Sequence, residues 1–102
     1  MKAATYYAPG DIRLEQVPEP DVAPGELKLR VRACSTCGTD VKISRFGHQN
    51  IVPPRVMGHE IAGEVVEVGA DVQGWAPGDR VQVIAAIPCG VCPDCTAGHM
   101  TI

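Results

Sequence analysis

The sequence predicts an all-β domain, mainly strands with one short helix, folded as a small, partly open and incomplete barrel. Three observations carry that expectation. Short runs rich in Val, Ile, Leu and Tyr recur between turns that contain Gly and Pro. Leu27, Leu29, Val31 and Ala33 alternate with Lys28, Arg30 and Arg32, the period of two of a strand with one buried face. Only the stretch from Val41 to Phe46 reads as a helix, with Thr39 or Asp40 as its cap.

Taken in order, Lys2 to Tyr7 reads as a first strand that ends at the turn Ala8-Pro9-Gly10-Asp11. Ile12 to Val17 reads as a second. The Pro-rich stretch from Pro18 to Glu26 is an extended connection, because Pro fixes φ and removes a donor. The alternating strand follows, and its pattern stops at Cys34. A second extended connection, IVPPRVMG, precedes a strand over Glu64 to Val68. Pro77-Gly78-Asp79 then turns the chain into a strand from Arg80 to Ala85. The tail, PCGVCPDCTAGHMTI, has no periodicity and reads as a loop organised by something other than a core. No strand is followed by a Gly-rich turn and a helix, so no Rossmann dinucleotide site is expected here.

The bulk properties exclude several function classes. With 102 residues there is room for one domain and one modest core. The formal net charge is −3, and the nine Lys and Arg form no basic run. Neither nucleic acid nor an anionic membrane is therefore an expected partner. No segment is apolar enough for a signal peptide or a membrane span, and the expected location is cytoplasmic. In a reducing compartment, five cysteines in close groups read as metal ligands rather than disulfides.

The densest group is Cys89, Cys92 and Cys95, in the pattern C-x2-C-x2-C with Gly90 and Pro93 between the thiols. Thiols three apart on a chain bent by Gly and Pro can converge on one centre. Zinc takes four such soft ligands at tetrahedral corners. Two groups can complete the set: His99, four residues after Cys95, or a cysteine beyond residue 102. A second constellation is dispersed. Cys37 sits in CGTD, and His59 and Glu60 sit in GHEIAGEVVEVG. Spacing alone assigns this pair nothing.

The segment from Gly58 to Gly63, followed by Gly69 and Val72, matches G-H-E-x2-G-x5-G-x2-V at every fixed position. With CGTD, PGDRV and the cysteine loop in the same order, the whole chain resembles the zinc-dependent medium-chain alcohol and polyol dehydrogenases, closest to the sorbitol and threonine dehydrogenase branches. That resemblance implies residues 1–102 as the amino-terminal portion of a GroES-like catalytic domain, with a structural-zinc loop over 88–102. It also implies a Rossmann cofactor domain that the chain does not contain.

The resemblance further implies that Cys37 and His59 ligate a catalytic zinc. Glu60 would be a neighbouring carboxylate that tunes or transiently ligates it. Thr39 would accept the substrate's proton, and Asp40 would orient His59. Cys89, Cys92 and Cys95 would hold a structural zinc, with the family's fourth cysteine just past residue 102 and His99 as a substitute. The third catalytic ligand would lie downstream. The implied reaction is oxidation of a small primary or secondary alcohol or polyol by hydride transfer to NAD or NADP, with zinc as Lewis acid, in a homodimer or homotetramer. The 102 residues alone are expected to be inactive. Where the family often carries a His after CGTD, this sequence has Lys42, which reads as a solvated helix position.

Three further residues take plain readings: Cys34 as a buried structural thiol, His48 as a surface-loop histidine, and Trp75 as packing at the domain edge. Two rival functions stay open. One is a non-enzymatic metal module in which Cys34-x2-Cys37 and Cys92-x2-Cys95 make a rubredoxin-like site. The other is a metal-free GroES-like β-domain.

Overall fold

The computed structural model describes residues 1–85 and 87–99. Six strands and two short helices follow one another as β1 (Lys2–Ala8), β2 (Asp11–Gln16), β3 (Leu27–Ser35), α1 (Gly38–Phe46), β4 (Arg55–Val56), β5 (Glu60–Val68), β6 (Arg80–Gln82) and α2 (Pro93–Thr96). The strands form two three-stranded sheets, ordered β2-β1-β4 and β3-β5-β6, and every pairing is antiparallel. The architecture is the expected mainly-β one, built as two open sheets rather than a closed barrel.

β1 and β2 form a hairpin whose turn at Gly10 is tied to the helix, because the Gly10 N–H donates to the Ser44 carbonyl at 2.8 Å. On the other edge of β1, the two-residue strand β4 pairs Thr5 with Val56 and Tyr6 with Arg55. This short strand lies inside IVPPRVMG, where two prolines mask any alternation. Helix α1 seats Ile43 against the core, and Ala3, Tyr6 and Val65 are the other buried hydrophobic residues among those described.

The second sheet has β5 at its centre, which buries Val65 to 1% exposure. β5 begins at Glu60, four residues earlier than its alternation suggests, because Glu60 to Gly63 are held by pairing with β3 rather than by a buried face. β6 ends at Gln82, short of the expected Ala85. Two irregularities interrupt the β3–β5 register. Val66 is left without a partner between the Lys28↔Glu67 and Leu29↔Val65 rungs, and Arg32 between Val31↔Gly63 and Ala33↔Ala62. Each is a bulge, one on each strand, and together they restore the starting register. Arg32 reaches across to Glu64, with its Nη2 donating to Oε2 at 2.7 Å.

Between the sheets runs a trough of about 1240 Å³ whose lining includes Ile12, Leu27, Leu29, Val31 and Ile61. Large apolar side chains elsewhere are also uncovered, Leu14 at 77% and Ile87 at 93% exposure among them.

The end of β5 is locked onto the Pro-rich connection. Gly69 N–H donates to the Glu26 carbonyl at 2.9 Å, and Gly25 N–H donates to the Ala70 carbonyl at 2.7 Å. A Cβ at Gly69 would overlap the Ala23 carbonyl oxygen and meet that of Glu26 at 2.9 Å. Backbone packed this closely leaves no soft side chain to yield. Gly69→Ala should therefore destabilise the protein by about 3 kcal/mol, read from the shift in its urea unfolding midpoint. Gly38, whose Cβ position is open and whose backbone is helical, is the control, and Gly38→Ala should shift the midpoint less. Equal shifts for the two would contradict the close-approach account.

Candidate metal centres

β3 ends at Ser35, and two residues later Cys37 starts helix α1 as its N-cap, with φ −127° and ψ 179°. Thr39 N–H donates to the Cys37 sulfur at 3.3 Å, and Cys37 N–H donates to Asp40 Oδ2 at 2.9 Å. This is a reciprocal capping box with a thiol in the usual Ser or Thr place. The helix thus begins at Gly38, and the cap is neither Thr39 nor Asp40. The pattern C-x2-D is the available signal: it has the spacing of a capping box, and only the unusual acceptor hides it.

His59 lies just before β5, and the last β3–β5 rungs, Cys34↔Ile61 and Ser35↔Glu60, bring it beside Cys37. Its Nε2 is 3.0 Å from Cys37 Sγ, and its Nδ1 is 3.4 Å from Asp40 Oδ1. Asp40 is only 14% exposed and spans both partners, capping the helix with one oxygen and facing the imidazole with the other. A proton on Nδ1 faces that carboxylate and leaves the Nε2 lone pair turned to the sulfur, the tautomer a metal-binding imidazole uses. Among the described residues, Cys37, Asp40 and His59 form one of two donor groups whose atoms all lie within 4.8 Å of one another.

A tetrahedral zinc with sulfur at about 2.3 Å and nitrogen at about 2.0 Å sets an S···N edge near 3.5 Å. The pair is about half an ångström tighter than that edge, so an ion would require the imidazole to stand slightly further from the sulfur. One thiol, one oriented imidazole and a carboxylate behind it form a donor set that fits zinc. Glu60 does not join this group. It is exposed and paired opposite Ser35 in the sheet, so a ligand role for its carboxylate is not supported by this arrangement. Thr39 is exposed on the first turn of the helix, two residues from the Cys37 thiol. Lys42 and His48 are exposed, as expected for both, and His48 Nδ1 accepts the Asn50 N–H at 3.2 Å. Cys34 is exposed rather than buried, because it faces the trough between the sheets.

The second donor group is Cys89, Cys92 and Cys95. Cys92 is the N-cap of α2, with Pro93 following it at the first helical position. α2 spans four residues, too few for periodicity to reveal. Cys89 and Cys95 sulfurs stand 3.8 Å apart. A disulfide needs about 2.05 Å, whereas two sulfurs at about 2.3 Å from a tetrahedral zinc are themselves near 3.8 Å apart. The observed spacing matches the metal edge.

His99 does not complete this group. Its N–H donates to the Asp94 carbonyl at 2.8 Å and the Gly98 N–H donates to the Cys95 carbonyl at 3.1 Å. That pair of bonds is a Schellman motif ending α2, with Gly98 at φ +85°. The closure commits the His99 backbone to the helix end, and its side chain is not in the thiol group. Residues 100–102 of the expected loop lie outside the described residues. The four-thiol rubredoxin arrangement is also overturned: Cys34 belongs to neither group, and Cys37 and the loop thiols fall in separate ones.

The alcohol dehydrogenase GroES-like domain model matches residues 23–102. The chain belongs to that family. Over 103 residues it is 46% identical to the L-threonine 3-dehydrogenase of Pyrococcus horikoshii, covering 97% of this chain and 30% of that enzyme. The sorbitol dehydrogenase of Bacillus subtilis is 35% identical, with 100% and 30% covered. Among solved structures, a cobalt- and zinc-bound thermostable alcohol dehydrogenase from Pyrobaculum aerophilum superposes with a TM-score of 0.91 at 31% identity, over 100% of this chain and 32% of that one. This GroES-like domain sequence thus spans about 30% of the length of the curated relatives it matches. Among the described residues, no helix is long and apolar enough to cross a membrane.

The loop of the GroES-like domain also sets its own thiol chemistry. The N–H groups of Val91 and Cys92, with the thiols of Cys92 and Cys95, hold the Cys89 thiol down from 9.0 to about 7. A lowered thiol pKa means more thiolate, the reactive form, at neutral pH. In reduced, metal-free protein, iodoacetamide labelling of Cys89, followed by peptide mass spectrometry, should rise through pH 7 and level off. A rate still climbing at pH 9 would contradict it.

Proposed function

We propose that the chain forms the amino-terminal part of the catalytic domain of a zinc-dependent medium-chain dehydrogenase, which oxidises a small alcohol or polyol with NAD or NADP. The observation that carries this reading is the Cys37–His59–Asp40 constellation: a thiol and an imidazole 3.0 Å apart, with the ring's far nitrogen 3.4 Å from a carboxylate. Three residues drawn from two distant parts of the chain converge there, with their donor atoms within 4.8 Å of one another. A second supporting observation is the loop-thiol spacing, which suits a closed structural site.

In this reading, Cys37 and His59 hold the catalytic zinc, with a further ligand from chain outside these 102 residues. A zinc held there would supply a Lewis acid that lowers the pKa of an alcohol hydroxyl, in a reaction whose hydride acceptor would be a nicotinamide. Asp40 keeps the imidazole proton on Nδ1 and so keeps Nε2 free to bind. Thr39, on the exposed first turn beside Cys37, takes the proton at its hydroxyl. Glu60 supplies negative charge near the site without ligating in the arrangement seen. Cys89, Cys92 and Cys95 hold a structural zinc with a fourth donor. The trough between the sheets is the face against which the remainder of the catalytic domain packs, in keeping with the 30% share of the relatives' length.

The names of the relatives point to two substrate classes, a β-hydroxy amino acid and a sugar alcohol. Both present a secondary hydroxyl beside a second polar group. Five unpaired thiols suit a reducing compartment, and the cytoplasm is the proposed location.

The test is an assay of the protein that carries this chain, with NAD or NADP and each of L-threonine and sorbitol, followed by the absorbance of the reduced nicotinamide. Turnover with one of them, lost in Cys37→Ser and His59→Ala, is the expected result. Asp40→Asn should weaken zinc binding by roughly 10–100-fold, the usual cost of removing a group that orients a ligand. Full turnover in His59→Ala would overturn the proposal.

A further inference from the structure

Cys34 is not a member of either donor group, yet its sulfur occupies a particular place. Gly58 has φ +109°, and a Cβ built there would lie 2.7 Å from Cys34 Sγ. The sulfur therefore fills the hollow that any other side chain at Gly58 would claim. The same sulfur lies 3.7 Å from the Ser35 carbonyl oxygen, to which it donates. It is thus held between the backbone that leads to Cys37 and the backbone that leads to His59. The sheet delivers this contact: Cys34 is opposite Ile61, three residues past Gly58, and the bulge at Arg32 sets that register.

We infer that Cys34 is a positioning residue for the metal pair, and that its sulfur, wedged against Gly58, sets how closely the Gly58–His59 turn approaches Cys37. The inference rests on the reading of Cys37 and His59 as metal ligands. Asp40 faces the ring at Nδ1 and bears on its rotation, while Gly58 bears on where the ring is attached. Removing the sulfur leaves the turn free to close or slide, and the 3.0 Å separation is no longer enforced. A smaller but still polar side chain that donates to the Ser35 carbonyl should keep most of the effect.

The experiment is a cobalt(II) titration of the protein in a Cys89→Ser, Cys92→Ser, Cys95→Ser background, where Cys37 alone gives thiolate-to-cobalt absorption at a donor group. With Cys34 native, the band should appear and saturate. Cys34→Ala should weaken cobalt binding roughly tenfold, as loss of a group that places a ligand does. Cys34→Ser should bind within about twofold of native, well inside that tenfold effect. The thermal unfolding midpoint should be the same in all three, since Cys34 is exposed.

Native-like affinity in Cys34→Ala would overturn the inference while leaving the metal pair intact. Equal losses in Ala and Ser, with a weaker charge-transfer band, would overturn it in favour of direct ligation by the Cys34 sulfur. A fall in the unfolding midpoint that parallels the loss of affinity would reduce Cys34 to ordinary packing and overturn it as well. No cobalt band with Cys34 native would overturn the metal-pair reading itself.

Discussion

The pairing of β3 with β5 is the constraint on which the rest depends. It runs from Leu27↔Val68 to Ser35↔Glu60, the longest pairing in the molecule, and it joins segments more than twenty residues apart in sequence. Cys37 leaves one end of it and His59 enters at the same end. The two bulges matter because a single one would shift the final rungs by one residue. A shift of one in a strand turns every side chain to the other face. With Arg32 unpaired, Cys34 meets Ile61, Gly58 falls against Cys34, and the imidazole arrives at the thiol. Without it, the histidine and the cysteine would belong to different surfaces.

The two donor groups are built on opposite principles. The first is long-range: sheet pairing supplies the approach, and one carboxylate, Asp40, couples the helix start to the ring. The second is local. Cys89, Cys92 and Cys95 lie within seven consecutive positions, and a prolyl N-terminus and a Schellman closure bend the chain around them. No strand contributes to it. A change that loosens the β3–β5 pairing therefore acts on Cys37 and His59 and spares the loop thiols. The open trough beside the first group follows from the same sheet, along which Leu27 and Leu29 are half-buried and Val31 is exposed.

How much of this was legible depended on whether the signal was local. Alternation at Leu27 to Ala33 and the Gly-Pro turns announced most strands, because period two and turn chemistry are properties of neighbouring residues. The three loop thiols announced themselves by spacing. What escaped was set by partners far along the chain or by unusual chemistry. The helix starts at a cysteine, a residue rarely read as a cap. β5 starts at Glu60 because β3 holds it, not because its own pattern demands it. Glu60 shares a motif with His59, but it is already a strand residue, exposed and paired opposite Ser35, and it is not in the donor group. His99 had ligand spacing, yet the backbone closure of α2 claimed its turn. Cys34 read as buried from its place at a strand end, whereas the sheet it belongs to leaves that end open to the trough.

The central claim is that strand pairing brings Cys37 and His59 together around one ion. Zinc-edge X-ray absorption on zinc-loaded protein, with Cys89, Cys92 and Cys95 each replaced by Ser, tests it most directly. The expected shell contains one sulfur at about 2.3 Å and imidazole nitrogen at about 2.0 Å, with the nitrogen contribution lost in His59→Ala. A shell of oxygen and nitrogen with no sulfur, or a spectrum unchanged by His59→Ala, would contradict it.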